Sequence, residues 1–257
     1  MSDFFWIILA SFSAGLIDAM VGGGGLILLP SLFSVFPQAT PASLLGTNKA
    51  TSIWGTGLAA FQYARRVSVP WGLLCPVAIG ALSFSAIGAR MAIQIDAVLM
   101  RQILPFVLLG IFIDTLRQKQ LGQLHKPCIE VSFQTWLRSF AIGAAIGLYD
   151  GVFGPGTGSV LIFLFVRWMS FDFLHASASA KFINLMTNAA ALFTFAWHDH
   201  VWWHVAVLLA CANVAGSLVG THLALRYGSR LVRYIFLGVV GCLIAKLIFS
   251  NLANAFS

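Results

Sequence analysis

Apolar residues dominate eight stretches of the chain, at about 4–36, 42–63, 70–92, 97–116, 136–166, 175–197, 201–225 and 231–252. Six of these are close to the roughly 20 residues that a helix needs to cross a bilayer core. The other two, 4–36 and 136–166, are much longer, and glycines interrupt each of them midway. A polar linker at about 117–135, with Lys119, His125, Lys126, Pro127 and Glu130, divides the chain. The pattern predicts an all-α polytopic membrane protein built as one transmembrane domain, 1–257. Repeat 1 covers about 1–116 and repeat 2 about 136–257.

The two glycine-rich interruptions follow one pattern. Gly15, Asp18, Gly22 and Gly24 match Gly147, Asp150, Gly154 and Gly156, each pair 132 positions apart. At the same offset Thr47 matches Ser179, Lys49 matches Lys181, Trp71 matches Trp203, Ser85 matches Ser217, Gly88 matches Gly220 and Arg101 matches Arg233. A gap-free register over most of a half-chain signals internal duplication, a recurring feature of transporter folds.

Composition narrows the class. Of 257 residues, 59% are hydrophobic and 9% charged, against about 25% charged in a soluble domain. The net charge of +7 is scattered over short loops, which fits topology determinants better than a nucleic-acid surface. Ser2 and Asp3 precede the first apolar run without a basic region or a small-residue cleavage signal, so that run reads as mature protein. Cys75, Cys128, Cys211 and Cys242 lie far apart, without metal or redox spacing. The three inside apolar segments read as small buried hydrophobes.

Loop charges bear on whether the long segments cross or re-enter. With eight simple crossings, Arg90, Arg101, Arg167, Arg226, Arg230 and Arg233 fall on one side, and Arg65, Arg66, Arg117, Lys119, Lys126 and Arg138 on the other. That is no bias. If 4–36 and 136–166 are re-entrant hairpins, only Arg90 and Arg101 remain apart from the rest. The positive-inside rule favours the hairpins. Each half then has three crossings, the halves are inverted, the linker faces the cytoplasm and both termini face outward.

The candidate chemistry sits at the interruptions. Gly22, Gly23 and Gly24 are consecutive with Gly25, and Gly154-Pro155-Gly156 contains a proline, so neither forms the one-sided face of a GxxxG pair. Both read as broken helix. Broken backbone at membrane depth must be buried in protein or line a cavity. Its free N–H groups and half-helix dipole suit an anion. Thr157, directly after the second break, belongs to the same candidate site. No Gly-Lys-[Ser/Thr] follows Gly154–Ser159, which excludes a phosphate-binding P-loop, and the hydropathy offers no strand–helix unit for a dinucleotide.

Lys49 and Lys181 lie about two helical turns into the next segments, beside Thr47, Asn48, Ser177 and Ser179. An ammonium at that depth needs a partner. Either the lysines neutralise an anionic substrate, or they snorkel or pair structurally with Asp18 and Asp150. The structural alternative couples Lys49 with Asp18 in a compensating double variant. The aspartates are counter-ions or proton carriers; in one version, protonation of an aspartate releases the anion. Asn184, with Ser52 and Asn188, offers hydrogen bonds to an oxyanion. His198, Asp199, His200 and His204 read as a wet turn beside an interfacial Trp202-Trp203 belt rather than a metal site. No catalytic residue, cofactor or metal is expected.

Residues 15–25 with Gly46-Thr47-Asn48-Lys49, and Tyr149–Ser159 with Ala178-Ser179-Ala180-Lys181, resemble the sulfite exporter TauE/SafE family over essentially the whole chain. The resemblance implies a multi-pass permease of the bacterial inner membrane for small sulfur-containing anions, such as sulfite or organosulfonates. The expected partners are a small anionic substrate and the lipid bilayer, with no nucleic acid; a homo-oligomer is compatible with the pattern. Two rival readings are an intramembrane enzyme using Asp18 and Asp150 as an acid/base pair, and a non-transporting membrane assembly factor.

Overall fold

The computed structural model describes residues 2–95, 99 and 132–227. The expected segments at 97–116 and 231–252, and the linker as far as residue 131, lie outside the described residues. Among the described residues there are eight α-helices and no strand. They are α1 (Ser2–Val21), α2 (Gly25–Val35), α3 (Pro41–Ala64), α4 (Trp71–Gln94), α5 (Phe133–Val152), α6 (Thr157–Met169), α7 (Phe173–Trp197) and α8 (Trp203–Tyr227). Local signals set several starts. Thr40 Oγ1 accepts the Ser43 N–H with Pro41 in the first turn, and at the matching position Asp172 accepts the N–H groups of Leu174 and His175.

Three of these helices, α1, α4 and α8, are long and apolar enough to cross a membrane by length and composition. Helices α3 and α7 are as long but carry inward polar stripes, Thr47-Asn48-Lys49-Thr51-Thr56 and Ser177-Ser179-Lys181-Asn184-Thr187-Asn188, all buried. At 1.5 Å per residue, α2 spans only about 17 Å and α6 about 20 Å, too short for a core about 30 Å thick.

Each long apolar stretch is therefore two helices. The chain turns between α1 and α2 so that the Phe4 and Phe36 rings, at their far ends, pack with centroids 6.5 Å apart. In the second half, one buried cluster joins Leu73, Leu74 and Val77 from the start of α4 to Phe165, Val166 and Met169 from the end of α6. Helix α5 runs parallel to α4. Gly143 packs on Val77, Gly147 on Ala81 and Gly151 on Ser85, with backbone so close that a Cβ would meet the neighbouring carbonyl. Helices α1 and α8 pair in the same sense, Phe12 and Leu16 against Gly216 and Gly220, tied by Ser11 Oγ to Leu209 O and Asn213 Nδ2 to Ser11 O.

Helices α3 and α7 cross the centre in opposite directions, since Gly46 meets Phe195 whereas Gly57 meets Leu185. Several contacts recur at the 132-residue offset with the halves exchanged: Ser85 Oγ donates to Thr187 O at 2.8 Å, and Ser217 Oγ to Gly55 O at 2.6 Å. Following the helices end to end, Arg65, Arg66, Arg138, Arg167 and Arg226 lie at one end of the bundle and Arg90 toward the other.

The outer surface is apolar, with Phe5, Trp6, Trp71, Ile79, Trp203 and Val207 exposed, as a lipid-facing belt requires. Cys75 and Cys211 are on that surface rather than in the core. Apolar residues need not turn inward where the surrounding medium is lipid, which corrects the reading of these two as buried.

Candidate functional site

Both breaks are built by glycines in conformations closed to other residues. Gly22 sits at φ +74, Gly154 at φ +84 and Gly156 at φ +80, in the left-handed region where a Cβ costs roughly 1–2 kcal/mol. The breaks abut. The Gly22 backbone lies against Gly158, a Cβ on Gly25 would stand 3.1 Å from Pro155 Cα, and Ser159 Oγ donates to Val21 O at 2.8 Å. Gly24 differs from its counterpart Gly156. It is right-handed, φ −57, and packs so that a Cβ would meet Ala14 O at 2.6 Å and Asp18 Cβ at 2.7 Å.

The polar stripes of α3 and α7 meet the breaks through two ion pairs that cross between the halves. Lys49 Nζ lies 2.6 Å from Asp150 Oδ2 and donates to Asn188 Oδ1 at 2.9 Å. Lys181 Nζ lies 3.0 Å from Asp18 Oδ2, which also accepts Thr56 Oγ1 at 3.0 Å. Each lysine thus takes the aspartate of the other half, so the pairing of Lys49 with Asp18 is corrected to Lys49 with Asp150. The fold explains why. Antiparallel crossing of α3 and α7 carries each lysine past the midline, to the break opposite its own. All four side chains are buried: Lys49 is 2% exposed, Lys181 0%, Asp150 1% and Asp18 8%.

A cavity of about 20 Å³ lies between the breaks, lined by Asp18, Gly22, Gly25, Asn48, Lys49, Ser52, Asp150, Gly154, Gly156, Gly158, Asn184 and Asn188. It has room for one or two water molecules; a sulfur oxyanion needs the walls to part. The remaining candidates lie behind this lining. Thr47 Oγ1 accepts the Trp202 N–H, Thr157 Oγ1 donates to Gly154 O, Gly23 rests near Ser159, and Lys181 is sealed behind Asp18. Ser179 Oγ, Asn48 Oδ1 and Asp150 Oδ1 are buried without a hydrogen-bond partner among the described residues.

Gly25, Gly158, Thr56 and Tyr149 were not among the site residues expected from the sequence. Thr56 was findable, since it matches Asn188 at the 132-residue offset; it donates to the aspartate of the opposite pair, where Asn188 accepts from the lysine of its own. Tyr149, whose hydroxyl donates to Pro155 O, bends across the break in a way no spacing reveals. In the turn at 198–202, His198 Nδ1 meets Thr194 O and His200 Nδ1 meets Ser43 Oγ. No group of three metal-ligating side chains occurs among the described residues.

The sulfite exporter TauE/SafE profile matches residues 7–247. The chain belongs to the sulfite exporter TauE/SafE family. TauE/SafE relatives include the probable membrane transporter protein ORF9 of Sinorhizobium sp., 32% identical over 89% of this chain and 85% of its own. A probable membrane transporter protein of Haemophilus influenzae is 30% identical over 93% of this chain and 92% of its own. The probable membrane transporter protein YfcA of Escherichia coli K12 is 30% identical over 93% and 87%. No solved structure matches significantly. TauE/SafE membership makes this chain a member of a membrane transporter family rather than an enzyme family.

Proposed function

We propose that the protein is a multi-pass secondary transporter of the bacterial inner membrane that moves a small anion, a sulfur oxyanion or organosulfonate, through the cavity between the two glycine breaks. The observation that carries this is the crossed pair of buried lysines meeting two helix breaks at one point. Lys49 lines the cavity beside Gly154 and Gly156, where the first-turn N–H groups of α6 lack intrahelical acceptors. Lys49 supplies the charge that neutralises the anion, with Lys181 held by Asp18 behind the cavity wall, Gly22–Gly24 and Gly154–Thr157 shape the breaks, and Asn48, Asn184 and Asn188 offer hydrogen bonds. Thr47 and Ser179 support the lysine-bearing turns, and Asp18 and Asp150 hold the lysines when substrate is absent.

Transport then proceeds by alternating access of two inverted repeats, 1–116 and 136–257. Three features support the inversion: the opposed run of α3 and α7, the exchanged contacts at the 132-residue offset, and the fold-back of α1–α2 and α5–α6. The gathering of Arg65, Arg66, Arg138, Arg167 and Arg226 at one end supports a cytoplasmic location for that end. The sulfur-anion class follows from the family description. The test is uptake of labelled sulfite, methanesulfonate and thiosulfate by proteoliposomes. Saturable flux of at least one, absent from protein-free vesicles, is expected. No flux of any of them overturns the assignment.

A further inference from the structure

The two ion pairs are not equally engaged. Asp18 Oδ2 accepts from both Lys181 and Thr56, and Lys181 is fully buried away from the cavity. Asp150 spends Oδ2 on Lys49, but its other oxygen has no donor among the described residues. Lys49 and Asp150 both line the cavity. Asp150 Oδ1 is thus a buried acceptor in need of a proton donor, and a second such acceptor, Asn48 Oδ1, belongs to the same cavity wall. A buried acceptor without a donor costs about 1–3 kcal/mol.

Charge balance turns this into a coupling rule. Asp18, Asp150, Lys49 and Lys181 sum to zero. An anion entering beside them leaves an uncompensated negative charge in the protein centre, which is strongly unfavourable. It also competes with Asp150 for the Lys49 ammonium. A proton on Asp150 removes both obstacles: the carboxylate becomes a carboxylic acid, Lys49 is released, and the anion replaces Asp150 as its counter-ion. Among the described residues, no other group facing Asp150 is suited to take that proton. Lys49 from α3 is already a cation, and Asp18 from α1 is held by two donors. The Tyr149 hydroxyl on α5 itself is committed to Pro155 O. Lys181 from α7 faces Asp18, and α4 presents Ser85 and Gly88 to this part of α5.

We infer that Asp150 is the proton-carrying residue of this transporter, and that one proton and one monovalent anion bind together at the Lys49–Asp150 pair and move in the same direction without net charge. This rests on the anion-site reading above. It reverses the sign expected from the sequence, since protonation recruits the anion rather than releasing it. On the far side the proton leaves, Asp150 reclaims Lys49 and the anion is expelled.

Methanesulfonate is the diagnostic probe, because its charge is fixed across the working pH range. Where Asp150 is ionised, its apparent affinity is expected to rise about tenfold per unit fall in pH. A one-unit pH gradient, with the membrane potential clamped, is expected to drive about tenfold accumulation. Flux that ignores the pH gradient, or carries net charge, overturns the inference in the wild-type protein alone. Infrared difference spectra of the reconstituted protein give a second readout that needs no transport. A protonated-carboxyl band is expected on acidification, lost in Asp150→Asn and kept in Asp18→Asn. A band that survives Asp150→Asn overturns the inference. If no probe anion moves but the band behaves as expected, the proton site stands and the transport assignment falls.

Discussion

The two half-sites hold the same residues in different states. Lys49, Asp150 and Asn188 all line the cavity, whereas on the other side only Asp18 reaches it, with Lys181 and Thr56 sealed behind. Two residues before each lysine a further asymmetry occurs. Thr47 Oγ1 accepts the Trp202 N–H and so ties α3 to the start of α8. The position matching Trp202 is Pro70, which has no N–H to give, and Ser179 Oγ has no partner among the described residues. Positions matched at the 132-residue offset therefore differ in what they engage, and proline in place of tryptophan is one such difference.

The largest expected effects separate the two breaks. Gly24→Leu drives a side chain into Ala14 O and Asp18, so folded protein is expected to vanish from membranes in an immunoblot. Gly156→Leu strains a left-handed position at the cavity. It is expected to leave protein in the membrane with flux abolished. Equal accumulation of the two variants would erase the distinction between a packing glycine and a site glycine.

Next come the ion pairs. Lys49→Gln and Lys181→Gln each strand a buried aspartate, at about 3–5 kcal/mol, read as a lower Tm in detergent. Lys181→Gln is expected to be the milder, because Thr56 still donates to Asp18. The reverse order would show that the sealed cluster carries more of the stability.

The Thr47 and Ser179 positions are expected to differ by less. Thr47→Val strands the Trp202 N–H and costs about 1–3 kcal/mol. Ser179→Ala removes a hydroxyl with no partner among the described residues and is expected to be neutral or slightly stabilising. Matching Tm losses at the two positions would contradict the asymmetry.

The smallest contrast is between the caps. Thr40→Ala and Asp172→Ala each remove an N-cap worth about 1 kcal/mol. Burial pushes the Asp172 carboxyl up, but the His175 N–H, the His175 ring and the Leu174 N–H outweigh it and hold the carboxyl below its ordinary value. A lowered value means that its stabilisation is complete above the ordinary carboxylate range and fades as pH falls through the depressed one. The Asp172→Ala loss is therefore expected to shrink in acid, while the Thr40→Ala loss stays constant.

Much of this was legible in the chain. The glycines at the breaks, the two lysines and the two aspartates stand in the sequence as a doublet at one fixed spacing. The partner exchange was not legible. Register reports which residues are equivalent, but the antiparallel crossing of α3 and α7 decides which ones meet. Nor was the difference between neighbouring glycines legible: they look alike in sequence, while Gly25 lines the cavity and Gly24 packs against Ala14 and Asp18. Cys75 and Cys211 followed a rule for water-soluble cores that a lipid-facing surface does not obey.

The central claim is that Lys49 is held by Asp150 in order to be given up to an anion. The double variant Lys49→Gln/Asp150→Asn, reconstituted beside Lys49→Gln, tests it most directly through Tm and methanesulfonate flux together. Removing both members of the pair is expected to recover most of the Tm lost in Lys49→Gln, while flux stays absent because the site still lacks its cation. Wild-type flux in the double variant would contradict the account and leave the pair a structural one.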